Sequence, residues 1–316
     1  MRPDILVLGS GWVPAVQEEL EDSFVCHHLA RVAPAQRDAF IEQAARVVRG
    51  VFTSGTVGID ARLAARLPLL EIVAVHGVGV DAVDIPALAA RGIAVTNTPD
   101  VLTDDVADLA VGLLLASARR LPTLDRHVRT GGWEAQLPLA PARGLRGKVA
   151  GIVGLGRIGQ AVARRLEPFG MQIRYFQRST AAVPYPRSAS LRALARESDY
   201  LIVCAPGGPG TRGMVDAEVL DALGPEGTLV NIARGSLVDE QALVAALREG
   251  RLGAAALDVF ADEPRVPAAL KSLDNVVLTP HVGSFTVEAR TAMGRLAIAN
   301  LRAHFAGEPL PTPVAA

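Results

Sequence analysis

The residues with the most chemical content lie in short segments, each directly after an apolar run. Gly154, Leu155, Gly156, Arg157, Ile158 and Gly159 follow Val149–Val153 and precede Ala161–Phe169. A glycine turn from strand to helix is a pyrophosphate cradle. Gly154 allows the tight turn, Gly156 lets the backbone approach the phosphates, and Gly159 lets helix and strand pack closely. The helix N-terminus then offers free N–H groups to an anion. The other segments are Asn231-Ile232-Ala233-Arg234-Gly235, Asp258-Val259-Phe260-Ala261-Asp262-Glu263-Pro264 and Thr279-Pro280-His281-Val282-Gly283-Ser284. They bring a guanidinium (Arg234), a carboxylate (Glu263) and an imidazole (His281) to predicted strand ends. In an open α/β sheet ligands bind outside the carboxyl ends of the strands, so all three converge on the nucleotide's side of the sheet.

The elements that must position them are legible as alternation. Short apolar strands at Ile5–Leu8, Val47–Phe52, Ile72–Val75 and Ala94–Thr96 alternate with helical stretches at Ala15–Glu21, Ala61–Arg66 and Ile85–Arg91, which predicts a parallel sheet covered by helices. At Asn97-Thr98-Pro99 the pattern changes, and we place a domain crossing there. The next ~30 residues read as one long helix, capped by Thr103 or Asp104, with Arg119 and Arg120 near its end. It is apolar around more than one stripe, so it packs either in one core or also on a second subunit. After a loop over Gly131–Gly147, a second series begins, with strands expected at Val149–Val153, Gln172–Phe176, Tyr200–Cys204, Thr228–Ile232, Ala254–Asp258 and Val276–Thr279. That rhythm matches a dinucleotide-binding fold. The amphipathic helix Val287–Phe305 returns to the first domain.

Composition narrows the partners. Acidic and basic residues number 33 and 32, the formal net charge is −1 and no block of like charge appears, which argues against nucleic acid or an anionic membrane surface. Cys26 and Cys204 sit in apolar segments and read as buried free thiols of a reducing compartment, so a cytoplasmic location is expected. The apolar run after Met1-Arg2-Pro3-Asp4 is too short for a signal peptide, and Asp108 interrupts the most apolar helix. His27 and His28 are adjacent and His127 and His304 isolated, so no metal site is expected.

The strand Gln172–Phe176 ends in Gln177-Arg178-Ser179-Thr180. Folds that prefer NAD carry an acidic residue there to bond the ribose hydroxyls. Here a guanidinium and two hydroxyls stand where they would bind a 2′-phosphate, so NADP is expected over NAD. Gly9-Ser10-Gly11 opens like a second dinucleotide turn, but Pro14 takes the place of its third glycine, which leaves an ordinary strand-to-helix turn.

Taken together, the glycine turn and the segments around Arg234, Glu263 and His281 resemble the signature set of the D-isomer-specific 2-hydroxyacid dehydrogenases, over essentially the whole chain. The resemblance implies that Arg234 binds the 2-oxo acid, His281 moves the proton and Glu263 orients His281 and stabilises its charged form. Hydride delivered to a carbonyl carbon leaves charge on oxygen, which a positioned imidazolium can neutralise. Each residue alone also has a structural reading; the three together at strand ends do not. Val75-His76-Gly77-Val78-Gly79-Val80-Asp81 resembles the family's substrate loop, with Val78 and Gly79 offering backbone N–H groups to the carboxylate and His76 read as structural. Asp258 matches a residue beside the nicotinamide, and Pro206, Thr211 and Ala233 lie on loops lining the cofactor. Trp133 reads as a buried anchor, with an interface or substrate contact as the alternative.

The expected fold is α/β, with two doubly wound parallel-sheet domains. A Rossmann coenzyme domain (99–285) is inserted in a flavodoxin-like substrate domain (1–98 and 286–316), with a cleft between them. The expected function is NADPH-dependent reduction of glyoxylate- or hydroxypyruvate-type 2-oxo acids by a homodimer. Gln177-Arg178-Ser179, the run Cys204–Arg212 and Gly307-Glu308-Pro309 resemble that branch. The alternatives are a phosphoglycerate, lactate or 2-ketogluconate enzyme, or a nucleotide-sensing corepressor-like binding protein.

Overall fold

The computed structural model describes residues 2–179 and 182–315; Thr180, one of the hydroxyls expected beside the cofactor ribose, lies outside the described residues. The chain divides into two compact units, Met1–Leu102 with Phe285–Ala316, and Thr103–Ser284.

The first unit runs β1 (Asp4–Val7), α1 (Pro14–Ser23), β2 (Val25–His28), α2 (Arg37–Ala44), β3 (Gly50–Ser54), α3 (Ala61–Ala65), β4 (Ile72–His76), α4 (Ile85–Ala89) and β5 (Ala94–Thr96). Its strands are parallel, in the order β2-β1-β3-β4-β5. Side chains alternate along each strand. Ile5, Val7, Phe52, Ile72 and Ala74 therefore pack one way, onto Val16, Leu20, Ala297, Ile298 and Leu301. Leu6, Val51, Val73, Val75 and Val95 pack the other way, onto Val48, Ala64, Leu67 and Leu88. A sheet apolar on both faces must be covered on both, which makes the unit doubly wound. The sequence reading did not anticipate β2 or α2. β2 lies at the sheet edge, half-buried, and its His27 Nε2 bonds Asp4 Oδ1 at 2.8 Å, so it lacks the apolar run of a central strand.

His76, at the end of β4, is 4% exposed. Burial, and then the Arg290 charge, push its imidazole down to about 4. The unfolded chain takes up this proton below its ordinary value of 6.5, whereas the folded chain does so only near 4. Stability is therefore undiminished above that ordinary value and falls as pH drops between the two, by about 3 kcal/mol in total. Urea unfolding at neutral pH and at pH ~4 should show this extra loss in the native protein and not in His76→Gln. Equal losses in both would rule out His76 as the source.

The second unit opens with α5 (Thr103–Ala118) and α6 (Leu121–Arg129). It continues β6 (Val149–Val153), α7 (Arg157–Leu166), β7 (Gln172–Phe176), α8 (Leu191–Arg196), β8 (Tyr200–Val203), α9 (Ala217–Leu223), β9 (Thr228–Asn231), α10 (Glu240–Arg248), β10 (Ala254–Leu257), α11 (Ala268–Lys271) and β11 (Val276–Leu278). Its parallel sheet has the order β11-β10-β9-β8-β6-β7. A lone parallel bridge, Tyr175 to Arg187, stands outside β7 where a dinucleotide-binding sheet has a further strand. The last helix, α12 (Val287–Ala306), belongs to the first unit.

The single long helix expected after the crossing is two helices. Arg120 turns left-handed (φ 55°), and Pro122, which lacks an N–H and would clash with the carbonyl of Ala118, opens α6 instead of extending α5. Asp108 is held by an ion pair: Arg165 of α7 bonds Asp104 at 2.8 Å and Asp108 at 2.5 Å, one turn apart on α5. Trp133 is not a buried anchor; it is 70% exposed, and Leu121, Val128, Leu137 and Leu139 are also exposed. Among the described residues no helix is long and apolar enough to cross a membrane. Burial pushes the Cys204 thiol up to about 12 and the Cys26 thiol, with help from Glu21, up to about 11, so neither free cysteine is a thiolate nucleophile at neutral pH.

Candidate active site

In a parallel sheet all carboxyl ends share one edge. In the second unit that edge gathers Gly154 after β6, Gln177 after β7, Pro206 after β8, Ala233 and Arg234 after β9, Asp258 after β10 and His281 after β11.

The glycine turn is shaped by its neighbours. Gly154 is left-handed (φ 87°), and a Cβ there would stand 2.8 Å from the Ala205 backbone. A Cβ at Gly159 would stand 2.2 Å from the Gly154 carbonyl oxygen, so the helix can begin this close to the turn only with glycine. At Gly156, by contrast, nothing lies within 4 Å of the Cβ position. Gly156 is also the N-cap of α7 and has no side-chain cap, which leaves Arg157, Ile158 and their N–H groups in the first turn. An open face at Gly156, a helix N-terminus without a side-chain cap and no acidic residue in the first turn fit a pyrophosphate.

Beside it, the Leu155 N–H donates to Gln177 Oε1 at 3.0 Å, so Gln177 braces the turn. Arg178 and Ser179 are exposed, and a Cβ at Gly210 would be 3.2 Å from the Arg178 guanidinium. Thr211 is buried and donates to the Pro206 carbonyl at 2.9 Å, closing the loop after β8. Arg187, which the sequence reading missed, donates to the Gln177 carbonyl at 2.8 Å and the Arg178 carbonyl at 3.2 Å. It fixes the backbone that carries Arg178, and its bridge to Tyr175 sets it beside β7.

Arg234 is set by its own loop. The buried Asn231 amide donates to the Arg234 carbonyl at 2.9 Å and accepts from the Ala233 N–H at 3.1 Å, and Arg234 Nη1 donates to the Ala233 carbonyl at 2.6 Å. Gly235 then lies against bare backbone: a Cβ would stand 1.9 Å from the carbonyl carbon of Phe260. This approach puts the Arg234 loop on the loop that carries Glu263, and the Arg234 charge acts on that carboxylate.

His281 is also left-handed (φ 55°), a conformation a non-glycine residue holds only when its surroundings impose it. Asp258 supplies the constraint. Its backbone carbonyl accepts the His281 N–H at 2.8 Å, its Oδ1 accepts the Thr279 hydroxyl at 2.6 Å and the Val282 N–H at 2.8 Å, and its Oδ2 accepts the Gly283 N–H at 2.9 Å. Asp258 is 1% exposed, and burial pushes its carboxyl up in spite of these donors and the His281 charge. Sequence reading placed Asp258 beside the cofactor; in the fold, both its oxygens are engaged by the His281 loop.

His281 Nδ1 lies 2.7 Å from Glu263 Oε2, and Glu263 Oε1 accepts the Phe260 N–H at 3.0 Å. Burial works against the Glu263 charge. The His281 hydrogen bond, the Phe260 N–H and the charges of His281 and Arg234 outweigh it and hold the carboxyl below its ordinary range. An ionised Glu263 accepts the Nδ1 proton, which assigns Nε2 as the atom that can exchange a proton with a substrate. In the first unit, Val78 is 38% exposed and its carbonyl accepts from Asn97 Nδ2 at 2.8 Å. A Cβ at Gly55 would stand 2.5 Å from the Gly79 carbonyl oxygen, so the loops after β3 and β4 lie in contact.

A family profile described as the NAD-binding domain of D-isomer specific 2-hydroxyacid dehydrogenases matches residues 111–283. Hydroxyphenylpyruvate reductase of Plectranthus scutellarioides is 52% identical over 89% of this chain and 90% of its own length. Glyoxylate/hydroxypyruvate reductase A of Arabidopsis thaliana is 48% identical over 95% of each chain. The NADPH-dependent glyoxylate/hydroxypyruvate reductase of Sinorhizobium meliloti, solved with NADP and malonate, superposes with a TM-score of 0.90 at 45% identity, covering 100% of this chain and 97% of that one. Fold, site and relatives define an NAD(P)-dependent oxidoreductase with two parallel-sheet α/β domains. The chain belongs to the D-isomer specific 2-hydroxyacid dehydrogenase family.

Proposed function

We propose that this enzyme reduces small 2-oxo acids of the glyoxylate and hydroxypyruvate type to D-2-hydroxy acids with NADPH, and that His281 is the proton donor. The observation that supports this most is the 2.7 Å contact of His281 with Glu263 on the same sheet edge as the glycine turn. NADPH, when bound, supplies the hydride. Gly154, Gly156 and Gly159, with the first turn of α7, would hold its pyrophosphate; Leu155, Ile158, Pro206, Thr211 and Ala233 would line its site, and Arg157 would offer its charge to the phosphates. Arg234 bonds the substrate carboxylate and carbonyl oxygen together, which orients and polarises the carbonyl. Val78 and Gly79 offer backbone N–H groups to the carboxylate. Nε2 of His281 delivers its proton to the carbonyl oxygen as charge develops there, and Glu263 stabilises the imidazolium before the transfer.

The NADP preference rests on Arg178 and Ser179, with Gln177 in place of an acidic residue. Initial rates with NADPH and NADH against glyoxylate, hydroxypyruvate, pyruvate, phenylpyruvate and 2-ketogluconate test both cofactor and substrate. Arg178→Ala should raise KM for NADPH about tenfold or more and leave KM for NADH little changed. Equal use of both cofactors by the unaltered enzyme would discard the Arg178 assignment.

The protein is further proposed to be a cytoplasmic homodimer. Two free thiols suit a reducing compartment. A second copy covers α5, α6 and the exposed series Leu121, Val128, Trp133, Leu137 and Leu139, which would otherwise leave a large apolar surface in water. Light scattering should give twice the chain mass, falling to the chain mass in Val128→Glu with Leu137→Glu. A dimer that survives both charges places the interface elsewhere.

A further inference from the structure

β7 is the outer strand of the second unit's sheet, and the segment around Arg187 runs along its open edge. The Tyr175 N–H donates to the Pro186 carbonyl at 3.2 Å and the Ser188 N–H donates to the Tyr175 carbonyl at 2.8 Å, which sets Arg187 level with Tyr175 in parallel register. Ser188 is 4% exposed. Its hydroxyl donates to Glu197 Oε2 at 2.7 Å, the oxygen that also pairs with Arg174 at 3.1 Å. Arg187 is therefore pinned through both of its neighbours, and its side chain reaches past the carboxyl end of β7.

There the guanidinium closes on backbone. Nε and Nη2 donate to the Gln177 carbonyl at 3.2 and 2.8 Å, and Nη2 donates to the Arg178 carbonyl at 3.2 Å. Arg187 is exposed, so these bonds add little to the stability of the fold; what they fix is the course of the chain beyond β7. The two residues so held face the dinucleotide site from both sides. Gln177 Oε1 accepts the Leu155 N–H of the glycine turn at 3.0 Å, and the Arg178 guanidinium lies so close to Gly210 that a Cβ there would stand 3.2 Å from Nη1. Among the described residues no carboxylate pairs with Arg178, which leaves its charge for an anion. One guanidinium thus ties the backbone that presents a second guanidinium to the turn that would take the pyrophosphate.

We propose that Arg187 is a positioning residue for the cofactor: it holds the backbone of Gln177 and Arg178 so that the Arg178 guanidinium meets the 2′-phosphate of NADPH, and the preference for NADPH over NADH depends on both arginines. The proposal rests on the reading of Arg178 as the group that takes that phosphate. Two other roles for Arg187 behave differently. A residue that bonds the phosphate itself acts whether or not Arg178 is present, and one that only staples the sheet edge serves NADPH and NADH alike.

Binding separates these cases without turnover. The Kd values of NADPH and NADH can be read from nicotinamide fluorescence, and those of 2′,5′-ADP and 5′-AMP, which differ only by the ribose phosphate, by calorimetry. Arg187→Ala should weaken NADPH and 2′,5′-ADP about tenfold and leave NADH and 5′-AMP within about twofold. Arg187→Lys should recover part of the loss, because an ammonium is a point charge and cannot span two carbonyls as the planar fork does. In the Arg178→Ala background the same Arg187→Ala change should cost less than about twofold, since no guanidinium is left to position. An equal loss in both backgrounds, or an equal loss for NADPH and NADH with a lowered Tm, overturns the proposal. A preference for NADPH that is lost in Arg178→Ala and survives in Arg187→Ala removes this proposal and leaves the reading of Arg178 standing. A native protein that binds NADPH and NADH alike removes that reading and this proposal with it.

Discussion

Replacing His281 with asparagine should lower kcat for 2-oxo acid reduction by about 10² to 10⁴, equivalent to about 3 to 5 kcal/mol of transition-state stabilisation, while the Kd for NADPH stays within about threefold. Asparagine is the informative choice because His281 is left-handed (φ 55°), and asparagine tolerates that region better than alanine does. The variant keeps the loop that Asp258 holds through Thr279, Val282 and Gly283 and removes only the proton-bearing ring. Stopped-flow measurement of a single turnover would separate the chemical step from product release. Unchanged turnover would reject His281 as the acid. Glu263→Gln should give a smaller loss, because it removes the charge that stabilises the imidazolium but leaves the ring in place.

Arg234→Lys should lower kcat/KM for the 2-oxo acid by about 10² to 10³, again with little effect on NADPH binding. Lysine keeps the charge, but as a point charge that cannot bond carboxylate and carbonyl oxygen at once. The loss should fall on both kcat and KM, since one group binds the ground state and also polarises the reacting bond. Gly235→Ala tests the support of this group: its new Cβ would stand within 2.0 Å of the Phe260 carbonyl, so the loops carrying Arg234 and Glu263 must part. Its expected signature is a lower Tm together with a raised KM for the 2-oxo acid. A lysine variant as active as the native enzyme would show that charge alone suffices at this position.

What could be read without coordinates was local in origin. The strands β6 and β7 stand over the residues expected, because buried parallel strands are continuous apolar runs bounded by glycine and polar residues. The glycine turn was legible for the same reason: glycine spacing, strand before and helix after are all within one short segment. Arg234, Glu263 and His281 could be nominated because each follows a predicted strand, and strand ends in a parallel sheet share an edge. β2 escaped because an edge strand needs little apolar surface, and α6 because a proline two residues past a left-handed Arg120 divides one apolar pattern into two helices.

The amino-acid sequence by itself determined the fold class and the residue types brought to each strand end, since these follow from periodicity and spacing along the chain, and its motifs carried the resemblance to the family. The tertiary structure alone decided which partner each group has. Asp258 takes up the His281 loop, Asn231 sets Arg234, Gly235 rests on Phe260, and Arg290 stands among Trp12, His76 and Phe285. Most of these partners are tens to hundreds of residues apart in sequence, and no local pattern encodes such a pairing. It arises only when sheet and helices close around a shared core and leave each polar group one set of neighbours.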